Sequence, residues 1–321
     1  MGLVKFLAKR IVAIVVTISL VVGVGYVLIY ISPGTFYSAA NMGQGLSQLQ
    51  VSDPALYNQY LNSLNSRYGL NQPLIEQVGK YVWHSLTFNF GTSFENPSIP
   101  IIHQLAQAVP ISSILAFGAI ALAVVLGVPL GVLAALKRNT WLDSALTTLS
   151  MVGQAIPSFV LAVLLVLFFG VWFPGILPVN GWGTVGEAVL PIVALSAGNV
   201  AAVTRYTRGS MVEALRQDYV RTAEAKGVPW RRVVLRHALR NSLVAVVTVI
   251  GPTFAFTIIS TLWVEQIFTI PGLGTLLAQA FPNKDVPMAI TSIYVLCLLV
   301  MGMNLLVDLL YRVLDPRVKL Q

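Results

Sequence analysis

The chain has 321 residues, of which 56% are hydrophobic and only 10% carry a charge. About a quarter of the residues in a soluble domain are charged, so this composition excludes an ordinary soluble protein and favours one embedded in lipid. The formal net charge of +8 would suit a nucleic-acid partner only if the basic residues formed one free patch, so their distribution has to be examined.

Six hydrophobic stretches follow one another along the chain, each of roughly the length needed to cross a bilayer, about 20 residues. They run approximately over Ala8–Ile31, Ala108–Leu136, Ser144–Phe173, Ala188–Val203, Ser242–Val264 and Met288–Leu310. We therefore predict an all-α membrane protein with six transmembrane helices. Among the prolines within the stretches, Pro129, Pro157 and Pro252, the last of them next to Gly251, are expected to interrupt their helices, either because proline has no backbone donor or because it admits a bend.

The basic residues lie almost entirely on one side of this predicted bundle. With the N-terminus placed inside, 17 of the 20 Lys and Arg residues are cytoplasmic, and only Arg67, Lys80 and Lys284 fall outside. This asymmetry follows the positive-inside rule and predicts that both termini are cytoplasmic. Topology and contact with anionic lipid explain the charge, so no nucleic-acid partner is expected.

A long polar segment, residues 32–107, separates the first two stretches and is predicted to form an external subdomain. Apolar residues recur at helical spacing over 57–68 and 74–82, which predicts two short amphipathic helices. Their apolar faces would pack on the bundle, lie among lipid headgroups or dock a partner, and packing is favoured. The predicted division is residues 1–106, the first helix with the external segment; 107–312, the transmembrane core; and 313–321, a cytoplasmic tail.

A second outward connection, residues 265–287, is apolar and contains Pro271, Gly272 and Gly274 in close succession. These residues cannot all continue a regular helix, and irregular backbone at membrane depth needs protein or a water-filled cavity around it. We predict either an outer gate that includes Glu265 or a plain surface loop.

The main cytoplasmic connection, residues 205–240, is basic and amphipathic. Met211, Leu215 and Tyr219 recur every four residues, which predicts one surface helix. Gly227 is suited to end that helix in a left-handed conformation, and Pro229 to open the next. We therefore predict two helices that meet at a tight corner.

The residues of this connection, QDYVRTAEAKGVPWRRVVLRHALRN from Gln217 to Asn241, resemble the cytoplasmic loop of membrane subunits in binding-protein-dependent ABC importers of the dipeptide, oligopeptide and nickel group. Further similarity lies in YGLNQP at 68–73, FGTSF at 90–94, IPSFVLAVLLVLFF at 156–169 and EQIFTIPGLGTLL at 265–277. In the wider family a Glu-Ala-Ala signature precedes the conserved loop glycine. Aligning that glycine with Gly227 places Arg221, Thr222 and Ala223 at the signature positions, so the general signature is degenerate here.

The resemblance implies a type I importer fold in a prokaryotic plasma membrane. It implies as partners a second permease subunit, two cytoplasmic ABC ATPases and an external solute-binding protein, with membrane lipid around the bundle. ATP and Mg would be used by the ATPases, and no cofactor would be bound by this chain. The implied ATPase-coupling residues are Arg221, Thr222, Ala223, Glu224, Ala225, Lys226 and Gly227.

An ATP-independent secondary transporter or channel is the alternative function. Such proteins often carry ionisable residues inside the membrane, and the candidates here are few: Glu265 at the outer end of the fifth predicted helix and Asp308 near the inner end of the sixth. No GxxxxGK[ST] phosphate loop occurs in the sequence, so energy from ATP would have to come from another subunit. His84 and His103 are predicted outside and His237 inside, so neither a catalytic residue nor a metal site is expected.

Overall fold

The computed structural model describes residues 3–32, 48 and 50–314, and its regular structure there is helical apart from one isolated bridge between Thr92 and Pro100. Part of the predicted external segment and residues 315–321 of the predicted tail lie outside the described residues. The helices are α1 Leu3–Ile31, α2 Pro54–Tyr68, α3 Leu74–Leu86, α4 Ile101–Leu136, α5 Trp141–Ala155, α6 Ser158–Leu167, α7 Val185–Ala214, α8 Asp218–Ala225, α9 Trp230–Arg232, α10 Leu239–Ile267, α11 Leu273–Ala280 and α12 Val286–Leu314. Two π-helical turns, Phe168–Trp172 and Val233–Ala238, continue α6 and α9.

Within the described residues, five helices are long and apolar enough to cross a membrane: α1, α4, α7, α10 and α12. The pair α5 and α6 passes the same test together but bends by 95° at its break, so the count is six if the pair forms one crossing. The prediction of an all-α membrane protein is therefore confirmed. The two predicted amphipathic helices are also present, as α2 and α3, between the first two crossings.

Of the three prolines expected to interrupt helices, only Pro157 does so. Ile156 before it adopts an extended conformation, with φ −83° and ψ 117°, because the proline ring excludes the helical region for its predecessor. Pro129 lies inside the continuous helix α4 and Pro252 inside α10, so the expected interruption does not end the helix at these two. Helices at membrane depth tolerate proline when neighbouring groups satisfy the freed carbonyls.

The described chain divides into two compact units. The first comprises residues 112–270 and 300–314 and contains most of α4, all of α5 to α10, and the end of α12. Helix α7 is central to it and packs on α5, α6 and α10. In the same unit the Phe117 and Phe254 rings lie 4.9 Å apart, and Asn199 Nδ2 donates to Thr257 Oγ1 at 2.8 Å.

The second unit comprises the described residues up to 111 together with 271–299. In this unit the buried carboxylate of Asp285 caps the start of α12 and also binds the loop that follows α3. It accepts hydrogen bonds from the hydroxyl of Ser93 and from the backbone N–H groups of Phe94 and Met288, at 3.1 and 3.2 Å for the last two. Lys284, beside it, donates to the Ser32 carbonyl at 2.5 Å, and burial lowers the pKa of its ammonium.

Candidate functional site

Helix α8 forms the first side of a corner, which we define as residues 218–238. Its apolar face carries Val220 and Ala223, which are 2% and 8% exposed and pack on Val233 at the start of the next helical segment. Val228, in the link between the two segments, packs on the same cluster. The corner therefore has its own small apolar core, which fixes the angle between its two sides.

The turn of the corner is a Schellman motif. The Gly227 N–H donates to the Glu224 carbonyl at 2.8 Å, and the Val228 N–H donates to the Ala223 carbonyl at 3.1 Å. Gly227 has φ +75°, in the left-handed region, and a Cβ there would meet no atom within 4 Å. The glycine is thus required for its backbone conformation and not for space. The predicted role of Gly227 as the helix end is confirmed, whereas Pro229 lies just before the next helix as its N-cap instead of in its first turn.

The corner is attached to the membrane helices of the same unit through a second apolar cluster. The fully buried side chain of Met211, near the end of α7, packs with Val234 and Ala238 of the π-helical turn and with Ala135 of α4. In addition, Ser210 Oγ donates to the Ser242 carbonyl at 3.3 Å, which links α7 to the start of α10. The corner is thus packed against α4 and α7, and its π-helical turn runs directly into α10.

The prediction of one surface helix through Met211, Leu215 and Tyr219 was wrong. Helix α7 ends at Ala214 and α8 begins at Asp218, so the three residues lie on different elements. Met211 is fully buried, whereas Tyr219 is 38% exposed. The physical reason is that the last turn of α7 belongs to the core of the first unit and only α8 lies at its surface.

The predicted coupling residues occupy one continuous stretch of this surface. Six of the seven are exposed: Arg221, Thr222, Glu224, Ala225, Lys226 and Gly227. The exception is Ala223, whose methyl group lies in the core of the corner. The Thr222 hydroxyl forms a hydrogen bond within the helix, since it donates to the Asp218 carbonyl one turn earlier at 2.8 Å. The exposed face is thus polar and backed by a fixed apolar side.

Two residues that the sequence did not single out, Asp143 and Arg208, form an ion pair at the base of α7. Arg208 Nε and Nη2 donate to the two carboxylate oxygens of Asp143 at 2.5 and 2.7 Å. The Asp143 side chain is only 5% exposed, and it also accepts from the Asn139 N–H at 3.0 Å. This bidentate pair ties the first turn of α5 to α7 two turns before α7 ends.

Two glycines on α4 bring that helix close to α7. A Cβ on Gly131 would lie 2.5 Å from Thr207 Cβ and 2.6 Å from the Thr204 carbonyl oxygen, and one on Gly127 would lie 2.8 Å from Val203 Cβ. The spacing of the two glycines is the small-xxx-small pattern that lets membrane helices approach closely. The pattern is present in the sequence, but without a known partner helix it carried no prediction.

The predicted outer-gate residues fall in two places. Glu265, near the end of α10 in the first unit, is fully buried and accepts a hydrogen bond from Ser112 Oγ at 2.6 Å. Its backbone carbonyl accepts from the Ile270 N–H at 2.8 Å, which closes the end of the helix. In the second unit, Gly272 is the N-cap of α11 in an extended conformation, Gly274 is buried within α11, and Pro271 is exposed. The buried face of α11 includes Leu273, so this segment is packed along one side.

Within residues 3–32, 48 and 50–314, no group of three or more His, Cys, Asp or Glu side chains is arranged to hold a metal ion. What the first unit does present is a mechanical arrangement. An exposed polar face lies on a corner that has its own apolar core, and the corner packs against α4 and α7. Glycines on α4 bring α4 and α7 together, and an ion pair joins α7 to α5.

Comparison with known proteins places this arrangement in a family. Residues 127–320 match the family described as binding-protein-dependent transport system inner membrane component. The chain is 36% identical over 318 residues to the dipeptide transport system permease protein DppB of Lactococcus lactis subsp. cremoris, covering 99% of this chain and 100% of that protein. It is 34% identical over 320 residues to the oligopeptide transport system permease protein OppB of Escherichia coli K12, covering 98% and 99%.

A solved structure shares the fold. The inward-facing MetNI methionine ABC transporter contains a chain that matches with a TM-score of 0.58 at 19% identity, covering 68% of this chain and 99% of that one. The resemblance inferred from the sequence motifs is confirmed by these matches. The chain belongs to the family of binding-protein-dependent transport system inner membrane components, the permease subunits of ABC importers.

Proposed function

We propose that this chain is one of two permease subunits of an ATP-driven importer for dipeptides or oligopeptides in a prokaryotic plasma membrane. The names of the near-full-length relatives support the solute class. The partners are then a sister permease, two cytoplasmic ABC ATPases that bind ATP and Mg, and an external solute-binding protein. Residues 1–106 form the external part with its membrane helix, and residues 107–312 form the translocating core, with both termini in the cytoplasm.

The corner is the part of the chain that meets an ATPase. The observation that supports this role is the division of α8 into two sides, with Val220 and Ala223 locked on Val233 and the other side exposed. A contact on the exposed side pushes the whole corner, because its own core and the Schellman turn prevent α8 from moving alone. Ala223 positions the helix, and the residues that touch the ATPase are Arg221, Thr222, Glu224, Ala225 and Lys226.

We further propose outer-gate roles for Glu265, in the first unit, and separately for Pro271, Gly272 and Gly274, in the second. The support for these roles is the burial of the Glu265 carboxylate at the end of α10 and the irregular backbone at Gly272. A buried carboxylate that is satisfied by a hydroxyl holds its helix end in one position. Opening of the pathway would require the Ser112–Glu265 hydrogen bond to rearrange.

The test of the coupling role substitutes Gly227 with Val and, separately, with Asn. At φ +75° a side chain costs about 1–2 kcal/mol, and a β-branched one more, whereas Asn tolerates this conformation. The matched control is Gly209→Val, because Gly209 is an exposed glycine of α7 at which φ is not positive and a Cβ would meet no atom within 4 Å. Peptide uptake and peptide-stimulated ATP hydrolysis are measured in proteoliposomes and normalised to assembled complex.

We expect Gly227→Val to lower uptake and ATP hydrolysis together, while Gly227→Asn and Gly209→Val remain near wild type. Wild-type coupling in well-assembled Gly227→Val complexes would remove the corner from the mechanism. Uptake that continues without ATP in any of these complexes would instead favour the secondary transporter or channel.

A further inference from the structure

We infer that helix α3 is an interfacial membrane helix, and that its Ile75–Trp83 face is covered by the acyl chains and headgroups of the outer leaflet. The inference concerns the external segment and does not depend on which solute is transported. Helix α3 has three sides: one packs on α1, one is polar and exposed, and one is apolar and exposed.

The first side of α3 packs on α1. Tyr26 of α1 is fully buried, its hydroxyl donates to Gln77 Oε1, and its ring lies 4.7 Å from that of Tyr81. One turn earlier on α1, a Cβ on Gly23 would lie 3.4 Å from Val78. Gln77 in turn donates from Nε2 to the carbonyls of Leu70 and Gln72, so the loop before α3 is held in the same contact. This side of the helix is therefore protein core, although its centre is polar.

The second side of α3 is polar and faces open space. It carries Glu76, Lys80 and His84 at four-residue intervals, and all three side chains are exposed. Lys80 and His84 line a cavity of about 270 Å³ whose other walls include Asn89 and Thr92. The cavity walls offer hydrogen-bonding groups, which suits a water-filled space.

The third side of α3 is apolar and exposed. Ile75 is 77% exposed and Trp83 is 67% exposed. Gly79 lies between them, and a Cβ added to it would meet no atom within 4 Å. The partly exposed Val82 and Leu86 fall on the same side at helical spacing. An apolar side next to a charged side is the pattern of a helix that lies in the plane of a membrane interface.

The position of α3 on α1 identifies the occupant of this apolar side as lipid. Helix α1 is a candidate crossing, and Leu20, Val24 and Leu28 on its surface are 56–63% exposed. Tyr26 lies five residues before the end of α1 at Ile31, which is about 8 Å along the axis at about 1.5 Å per residue. Interfacial helices insert about 5–10 Å into the boundary between headgroups and acyl chains. Contact with Tyr26 thus holds α3 at the depth where tryptophan is enriched at membrane interfaces.

The test measures the environment of single spin labels in the assembled complex in proteoliposomes, using power-saturation electron paramagnetic resonance with O₂ and a water-soluble nickel chelate. Cys297→Ala removes the only cysteine of the sequence. Labels are placed by Ile75→Cys and Trp83→Cys on the apolar side and by Glu76→Cys and Lys80→Cys on the polar side. Val24→Cys on α1 is the lipid reference, and Asn62→Cys, an exposed residue of α2, is the water reference.

We expect the ratio of O₂ to nickel collision rates at positions 75 and 83 to be several-fold higher than at 76 and 80 and close to that at 24. A ratio at 75 and 83 equal to that at 62 would place this side of α3 in water and overturn the inference. Exclusion of both reagents, with an immobilised label, would show a protein partner on this side and would equally overturn it. The four labelled positions are all exposed residues of one helix, and each is measured only in assembled complex. A difference between the two sides therefore does not come from misfolded protein.

Discussion

Substitution of Arg208 by Met is expected to destabilise the chain, because it removes the counter-charge of the buried Asp143 carboxylate. It removes two hydrogen bonds, at 2.5 and 2.7 Å, from a carboxylate that is only 5% exposed. Asp143 would then keep as its closest donor the Asn139 N–H at 3.0 Å. A carboxylate left buried without its counter-charge is the costly outcome of breaking such a pair.

The magnitude follows from the burial of the two partners. Breaking a fully buried pair from one side costs about 3–5 kcal/mol, and the 30% exposure of the Arg208 side chain places this pair at the lower end, near 3 kcal/mol. Asp143→Asn should cost less, about 1–2 kcal/mol, because an amide oxygen still accepts from Asn139 and the partly exposed guanidinium can reach water. The asymmetry between the two single variants is therefore part of the prediction.

The measurement is the free energy of unfolding from SDS titration in mixed micelles, in a double-mutant cycle of Asp143→Asn and Arg208→Met. We expect a coupling energy of about 2 kcal/mol. The control is Arg216→Met, the same change at an exposed arginine, which should alter stability by less than about 0.5 kcal/mol. Single-variant effects that add to within about 0.5 kcal/mol in the double variant would refute the reasoning, and so would an Arg208→Met variant as stable as Arg216→Met.

Two further predictions concern packing and orientation. Gly131→Ala should destabilise the chain by about 1–3 kcal/mol in the same titration, because the new Cβ would lie 2.5 Å from Thr207 Cβ. The control is Gly209→Ala, whose Cβ would meet no atom within 4 Å and which should be neutral or slightly stabilising. Equal effects at the two positions would contradict the close approach of α4 and α7. In a Cys297→Ala background, a membrane-impermeant maleimide should label Asn62→Cys in intact cells and Lys226→Cys only after permeabilisation, and the reverse pattern would refute the predicted topology.

Hydropathy predicted the crossings well because each one needs a run of apolar residues wherever its neighbours lie. It underestimated their length where a helix continues past the apolar run. Helix α7 extends to Ala214, beyond the predicted end at Val203, and the extra turns carry Arg205 and Arg208. A hydropathy window stops at such residues, although here one of them is satisfied by Asp143 inside the fold.

The corner was predicted in part, and the reason lies in which signals are local. Gly227 carries its own signal, since a left-handed helix end favours glycine in any tertiary context. The break between Ala214 and Asp218 has no such signal, because Leu215, Arg216 and Gln217 all favour helix. At this break Met211 and Ala214 lie in one buried cluster with Val234, a long-range contact that no periodicity reveals.

The ion pair lay beyond single-sequence reasoning for a different reason. Asp143 and Arg208 are 65 positions apart, and each has the appearance of an ordinary charged residue beside a membrane helix. The same holds for Gly131, whose importance depends on Thr207 of another helix. Pairwise contacts at long sequence separation can be read only from coordinates or from covariation between the positions.

The glycine contacts and the ion pair constrain α7 in complementary ways. Gly127 and Gly131 set how closely α4 approaches α7 and which side of α4 faces it. A bidentate Arg–carboxylate contact has a defined plane, so the Asp143–Arg208 pair fixes the rotation of α7 as well. Because α8 begins only four residues after α7 ends, the direction in which the corner presents its exposed face follows from that rotation. Apolar residues of similar size would cost less to bury at the base of α7 than this partly buried ion pair. Such residues would hold the helix in place, but they would not define the direction in which the exposed face of the corner is presented. The ion pair is suited to this position because it does.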